Sequence, residues 1–132
     1  MLTLRALDVE NSISYGSLAV NDDTGSYNAT TTLVNLGNDD LDVQIVGSDL
    51  SDGSGSTIDA SQQRFATSTF DYSSCVYCTN LATTSTNYEV DLGKPTAVTP
   101  PVEDEVYWGI AIPFGTASNP HTGNNTFYAI GD

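Results

Sequence analysis

The sequence predicts an all-β fold, a single β-sandwich or jelly roll of about seven to nine mostly antiparallel strands. Three observations carry this expectation. Apolar and polar residues alternate with period two in run after run. Clusters of Gly, Asp, Asn and Pro separate the runs at short intervals. No stretch holds an apolar stripe at helical spacing without a Gly, Pro or Thr cluster interrupting it. At 132 residues the chain suits one domain, residues 1–132, with enough surface to bury a sizeable core.

The runs follow in chain order. TLRALDVE (3–10) and ISYGSLAV (13–20) are weak. Residues 1–20 are apolar enough to be buried and precede the better-defined sandwich, so they read as an edge strand or as a strand donated to a neighbour. YNATTTLVNL (27–36) is the next run. In LDVQIV (41–46), Leu41, Val43 and Ile45 face one way and Asp42 and Gln44 the other. RFATSTF (64–70) is weaker; in YEVDL (88–92), Tyr88, Val90 and Leu92 oppose Glu89 and Asp91. In VYWGIAIP (106–113), Val106, Trp108, Ile110 and Ile112 share a face, and NTFYAI (125–130) reads as the last strand. Trp108 is the expected core anchor, because a sugar-stacking platform would want polar neighbours on its own face.

Turn-rich segments lie between: NDDTGS (21–26), GNDD (37–40), SDLSDGSGST (48–57), GKPTAVTPP (93–101) and GTASNPHTGNN (115–125). Within LGNDDL, Gly37-Asn38 is the expected turn of a hairpin.

Charge narrows the function classes. Seventeen acidic residues face three basic ones, Arg5, Arg64 and Lys94, for a net charge of −14. Phosphate backbones need Lys and Arg, so nucleic acid is excluded as an expected partner. No apolar run is long enough for a membrane-spanning helix, and no membrane insertion is expected. The start, MLTLRALDVE, interrupts any signal-peptide stretch with Arg5 and Asp8. The Thr-, Ser-, Asn- and Gly-rich composition nevertheless suits an exported β-protein. The expected location is extracellular or the cell surface, by way of a leader not present in this sequence.

Cys75 and Cys78, in SSCVYCTN (73–80), allow three readings. Structural zinc needs four ligands, and the chain offers one pair and a distant His121. A thioredoxin-type pair needs a βαβ setting that the pattern does not provide. A disulfide staple of a loop fits an oxidising compartment, with two free thiols as the alternative should the chain stay in a reducing one. Two N-x-[ST] sequons make Asn28 and Asn124 glycosylation candidates, although a chain rich in Thr and Asn produces sequons by chance. Asp49, Asp52 and Asp59 are calcium candidates in an oxygen-rich loop that lacks the EF-hand frame; a solvated acidic surface is the plainer reading. No other cofactor is implied. With one His and neither G-x-S-x-G nor H-E-x-x-H, no enzyme activity is expected. Glu103, Asp104 and Glu105 read as charged gatekeepers ahead of an apolar strand.

Three segments together carry a resemblance: NLGNDDLDVQIVGSDL (35–50), SQQRFATSTFDYSS (61–74) and EVYWGIAIPFGTASNPHTGNNTFYAI (105–130). From about Asn35 onward the chain resembles uncharacterised secreted β-sandwich domains, Ig-like or jelly-roll, of bacterial and archaeal surface proteins. The YWGI strand with its Gly- and Thr-rich loop and the NTF strand is the most specific part. The resemblance implies an extracellular location and supplies no catalytic residues. More distantly, the chain is similar to strand-donating subunits of biofilm fibres and archaeal pili. That likeness implies a structural, pilus-like filament subunit that assembles with copies of itself by β-strand addition. The alternative is a carbohydrate-binding or adhesin module of a larger surface protein, with glycans as partners and exposed tyrosines such as Tyr72, Tyr77 or Tyr107 as platforms. The path of the N-terminal segment discriminates the two: folded into its own sheet, it favours the module.

Overall fold

Two antiparallel sheets stack face to face in the computed structural model, which describes residues 2–97 and 100–132. The strands are β1 (Leu7–Val9), β2 (Ala29–Asn35), β3 (Leu41–Val46), β4 (Leu50–Ser51), β5 (Thr57–Ile58), β6 (Gln63–Ala66), β7 (Thr79–Asn80), β8 (Thr86–Leu92), β9 (Glu103–Ile110) and β10 (Thr126–Gly131). A short 3-10 helix, Ala60–Gln62, precedes β6. The larger sheet has the order β1-β2-β9-β6-β7, the smaller β10-β3-β8, and β4 pairs with β5 in a separate ribbon. Every pairing is antiparallel.

The alternation explains the core. Leu33, Phe65, Val106 and Trp108 point inward from the larger sheet, and Leu41, Val43, Ile45, Val90 and Leu92 from the smaller. Each large side chain removed from water in this way contributes about 1.5–3 kcal/mol. Trp108 is fully buried. Its ring lies 5.2 Å from that of Phe65 and 6.1 Å, edge-on, from that of Phe127. Its indole N–H donates to Thr31 Oγ1 at 3.0 Å, so burial leaves no orphaned donor.

LDVQIV is β3 with the expected bounds. Other segments depart from expectation. Gly37-Asn38 does not turn a hairpin: β2 belongs to the larger sheet and β3 to the smaller, so the turn is a corner between layers. Asn35 makes it one. This buried side chain donates to the carbonyls of Asp39, Leu92 and Gly93 and accepts the Gly37 N–H, tying the end of β2 to the end of β8. Gly37 is required there because a Cβ would collide with the Leu4 carbonyl. The 13–20 run forms no strand; its apolar residues pack individually, Ile13 and Tyr15 onto the core. RFATSTF splits after Ala66. β9 begins at Glu103, since pairing with β2 extends through the acidic trio, and Asp104 Oδ2 accepts the Asp91 N–H across the layers. The turn segment expected at 93–101 lies partly outside the described residues.

Residues 2–9 run along the β2 edge of the chain's own sheet. Leu7, Asp8 and Val9 pair with Asn35, Val34 and Leu33. Leu4 and Asn38 extend the contact through backbone and side-chain hydrogen bonds.

Candidate functional site

The chain leaves β1 as a strap without regular structure, residues 10–20, that crosses one end of the sandwich. The Glu10 N–H donates to the Thr32 carbonyl at 3.2 Å where the strap starts. At its far end Asn21 N–H donates to the Ile112 carbonyl at 2.8 Å, and Ile112 N–H to that of Asp22 at 2.8 Å. Asn21 takes a positive φ of 64°, which Asn tolerates better than most residues.

Facing the strap is the 115–125 loop, which the acidic 48–59 segment holds in place. Asp52 Oδ2 accepts from Asn119 Nδ2 at 3.0 Å. Its Oδ1 accepts the backbone N–H groups of Ser54 and Ser56. The Asn119 amide above all, then these backbone donors, holds the Asp52 carboxyl below its ordinary range. His121 bridges the Asn119 carbonyl and Ser56 Oγ, and Ser51 pairs with Thr122. Strap and loop enclose a cleft of about 740 Å³. Its floor is the inner face of the larger sheet: Thr31, Gln63 and Ile110, with Ile58 and Phe127 beside them. Glu10 is the only carboxylate and His121 the only cationisable group among the described lining residues.

Gln63 is the unusual element. It is 1% exposed and heads β6 on the inward face, two residues before Phe65. Its Oε1 accepts from the Tyr15 hydroxyl at 2.7 Å and from Asn125 Nδ2 at 3.1 Å. Tyr15 and Asn125 together hold the oxygen end of the amide. Nε2 then has no acceptor among the described residues. An unmet buried donor costs about 1–3 kcal/mol. Burial pushes the Tyr15 hydroxyl well above its ordinary value, so it stays a neutral donor. The residue escaped the sequence reading because the run was started at Arg64. The available signal was a Gln sharing the parity of Phe65, an inward polar residue.

The other candidate residues lie elsewhere. Cys75 and Cys78 form a disulfide with a Cα–Cα distance of 5.8 Å. It closes part of the 67–80 connection, which folds over the outer face of the larger sheet. There Ala66, Phe70 and Tyr72 form a second apolar cluster, and the Arg64 guanidinium sits 4.4 Å from the centre of the Tyr72 ring. Gly109 lets this cover approach: a Cβ there would come within 2.8 Å of Thr24 Oγ1 and 3.1 Å of both Phe70 and Tyr72. Of the tyrosines offered as sugar platforms, Tyr72 is buried, Tyr107 donates to Glu105, and Tyr77 is exposed beside the disulfide. The Asn28 side chain is engaged on both sides, donating to the Phe70 carbonyl and accepting its N–H, so glycan attachment would break that clasp. Asn124 is exposed at the rim of the cleft.

Asp49, Asp52 and Asp59 do not converge. Asp49 caps the Ala60 N–H, Asp52 organises its own turn, and Asp59 precedes the 3-10 helix without a side-chain cap. The one group of three acidic side chains close enough to share a cation, among the described residues, is Asp42, Glu89 and Asp132. Asp42 already accepts the Val90 N–H at a bulge between β3 and β8.

These features define a class by architecture: an all-β sandwich with a covered end cleft and a disulfide-closed loop on one face. Comparison with family models, curated proteins and solved structures finds no match.

Proposed function

We infer that this chain is an extracellular binding module of a cell surface, self-contained in folding and non-catalytic, with glycans as its partners. The observation that carries the reading is the path of the N-terminal segment. Residues 7–9 pair within the chain's own sheet, and the strap that follows walls a cleft of about 740 Å³, within the usual range for small-molecule sites. The disulfide suits an oxidising compartment. The strong negative charge disfavours phosphate polymers and anionic membranes.

The test is light scattering of the full chain together with its retention on insoluble polysaccharide. A monomer that is retained supports the reading. Filaments in the electron microscope would replace it.

That replacement is the second reading, a pilus-like subunit assembling with copies of itself, and one observation favours it. β8 and β10 flank β3 as edge strands of seven and six residues, long enough to template a further strand.

A further inference from the structure

We propose that the end cleft is a saccharide site in which the Gln63 amide nitrogen donates to an uncharged oxygen of the sugar, a hydroxyl or an acetamido carbonyl. The proposal rests on the binding-module reading and specifies its site and ligand class.

Geometry selects the acceptor. Gln63 is 1% exposed, and two donors, Tyr15 and Asn125, occupy its oxygen. Its nitrogen is buried and left unpartnered among the described residues, at the base of a cleft that Gln63 helps to line. Reversing the amide would set its nitrogen against the Asn125 NH2 group, so it does not satisfy itself by rotating. It demands an acceptor from whatever enters. Charge selects neutrality. No Lys or Arg lines the cleft and His121 is its one cationisable group among the described lining residues, so an anion would enter a chain of net charge −14 with no fixed counter-charge. A cation would meet amide N–H groups at the base and only Glu10 in the walls. Shape completes the match: Leu50, Ile112 and Phe127, each partly exposed, offer apolar contact to the C–H faces of a pyranose, and the strap and loop supply Ser, Thr and Asn for its remaining hydroxyls. Tyr15 links the strap directly to the recognising residue, so the wall and the donor are positioned together.

The experiment uses the full chain. A glycan array carrying neutral, N-acetylated and sialylated oligosaccharides finds the tightest ligand, which is then titrated while the Gln63 side-chain NH2 is followed by 15N-resolved NMR. The expected result is a neutral or N-acetylated ligand, a saturable shift of the Gln63 NH2 signals, and about tenfold weaker binding in Gln63→Met. Should that variant fail to fold, the titration of the unaltered chain decides alone. Glycan binding that leaves the Gln63 NH2 signals unmoved, or that Tyr77→Ala abolishes, overturns the site and leaves the binding-module reading standing. A preference for sialylated ligands overturns the ligand class. Binding to no glycan overturns both.

Discussion

Asn35→Ala tests the reasoning about the corner between the layers. Asn35 is 3% exposed, and its side chain makes four hydrogen bonds, to the Asp39 carbonyl at 2.8 Å, the Leu92 and Gly93 carbonyls at 3.1 Å each, and the Gly37 N–H at 2.9 Å. Alanine removes all four. The Leu92 bond is buried, and an orphaned buried acceptor costs about 1–3 kcal/mol. The other three bonds are partly exposed, and water recovers much of their loss, leaving a few tenths of a kcal/mol to about 1 kcal/mol each. The expected total is about 3 kcal/mol, which in a chain of this length lowers the melting temperature by about 10 °C. Asn35→Asp is a sharper probe. It keeps the acceptor for Gly37 but turns a carboxylate toward three carbonyl oxygens, so its cost equals or exceeds that of alanine. Gln44→Ala breaks the exposed bond to Asn87 and sets the baseline, within about 0.5 kcal/mol. Urea denaturation followed by circular dichroism measures all three. A cost below about 1 kcal/mol for Asn35→Ala, or an Asp variant as stable as the unaltered chain, would refute the account of this corner.

Three further outcomes are expected. Trp108→Phe strands the buried Thr31 hydroxyl and opens a cavity between the sheets, for a loss of about 2–3 kcal/mol in guanidinium unfolding; an unchanged midpoint contradicts the packing described. Replacing both Cys75 and Cys78 by Ser costs about 2 kcal/mol or less, because the ring closed between residues three apart is small; a chain that no longer folds would show that the loop does more than cover one face. Tyr15 has its hydroxyl raised by burial from an ordinary 10.0, so its contribution is intact below that pH and lost as the solution becomes more alkaline. The urea midpoint should fall above about pH 10 and fall less in Tyr15→Phe; equal slopes for the two proteins would contradict the buried hydroxyl.

Period-two alternation made the strands legible wherever one face is buried and the other wet. LDVQIV and the Trp108 strand are the clearest cases, because their inward residues are all apolar. Layer assignment was not legible. A Gly-Asn turn between two alternating runs looks the same whether the runs pair with each other or separate into opposite sheets; here the side chain of Asn35, three residues before the Asn of that turn, ties the corner together. The 13–20 run alternates like a strand yet forms none, because its alternating residues serve single contacts, such as Tyr15 on Gln63, and no ladder. The acidic loop drew attention as a cation site. The carboxylates of Asp49 and Asp52 are instead consumed by backbone N–H groups and by Asn119, a use that composition alone does not distinguish. The residue on which the cleft turns, Gln63, is visible in sequence only once the register of β6 is known.

The position of β9 sets the order in which this molecule can be made. It is the central strand of the larger sheet, hydrogen-bonded to β2 on one side and β6 on the other, yet it is the second-to-last strand in the chain. While the ribosome is still short of Glu103, β2 and β6 have no shared neighbour, and Leu33 and Phe65 have no Trp108 to close over them. Folding of this sandwich therefore waits until Glu103–Ile110 has been made and then proceeds through contacts distant in sequence, a slow class of reaction. For that interval the nascent chain is an unfolded polypeptide with unpaired strands, the form most easily threaded through a narrow channel and most exposed to aggregation.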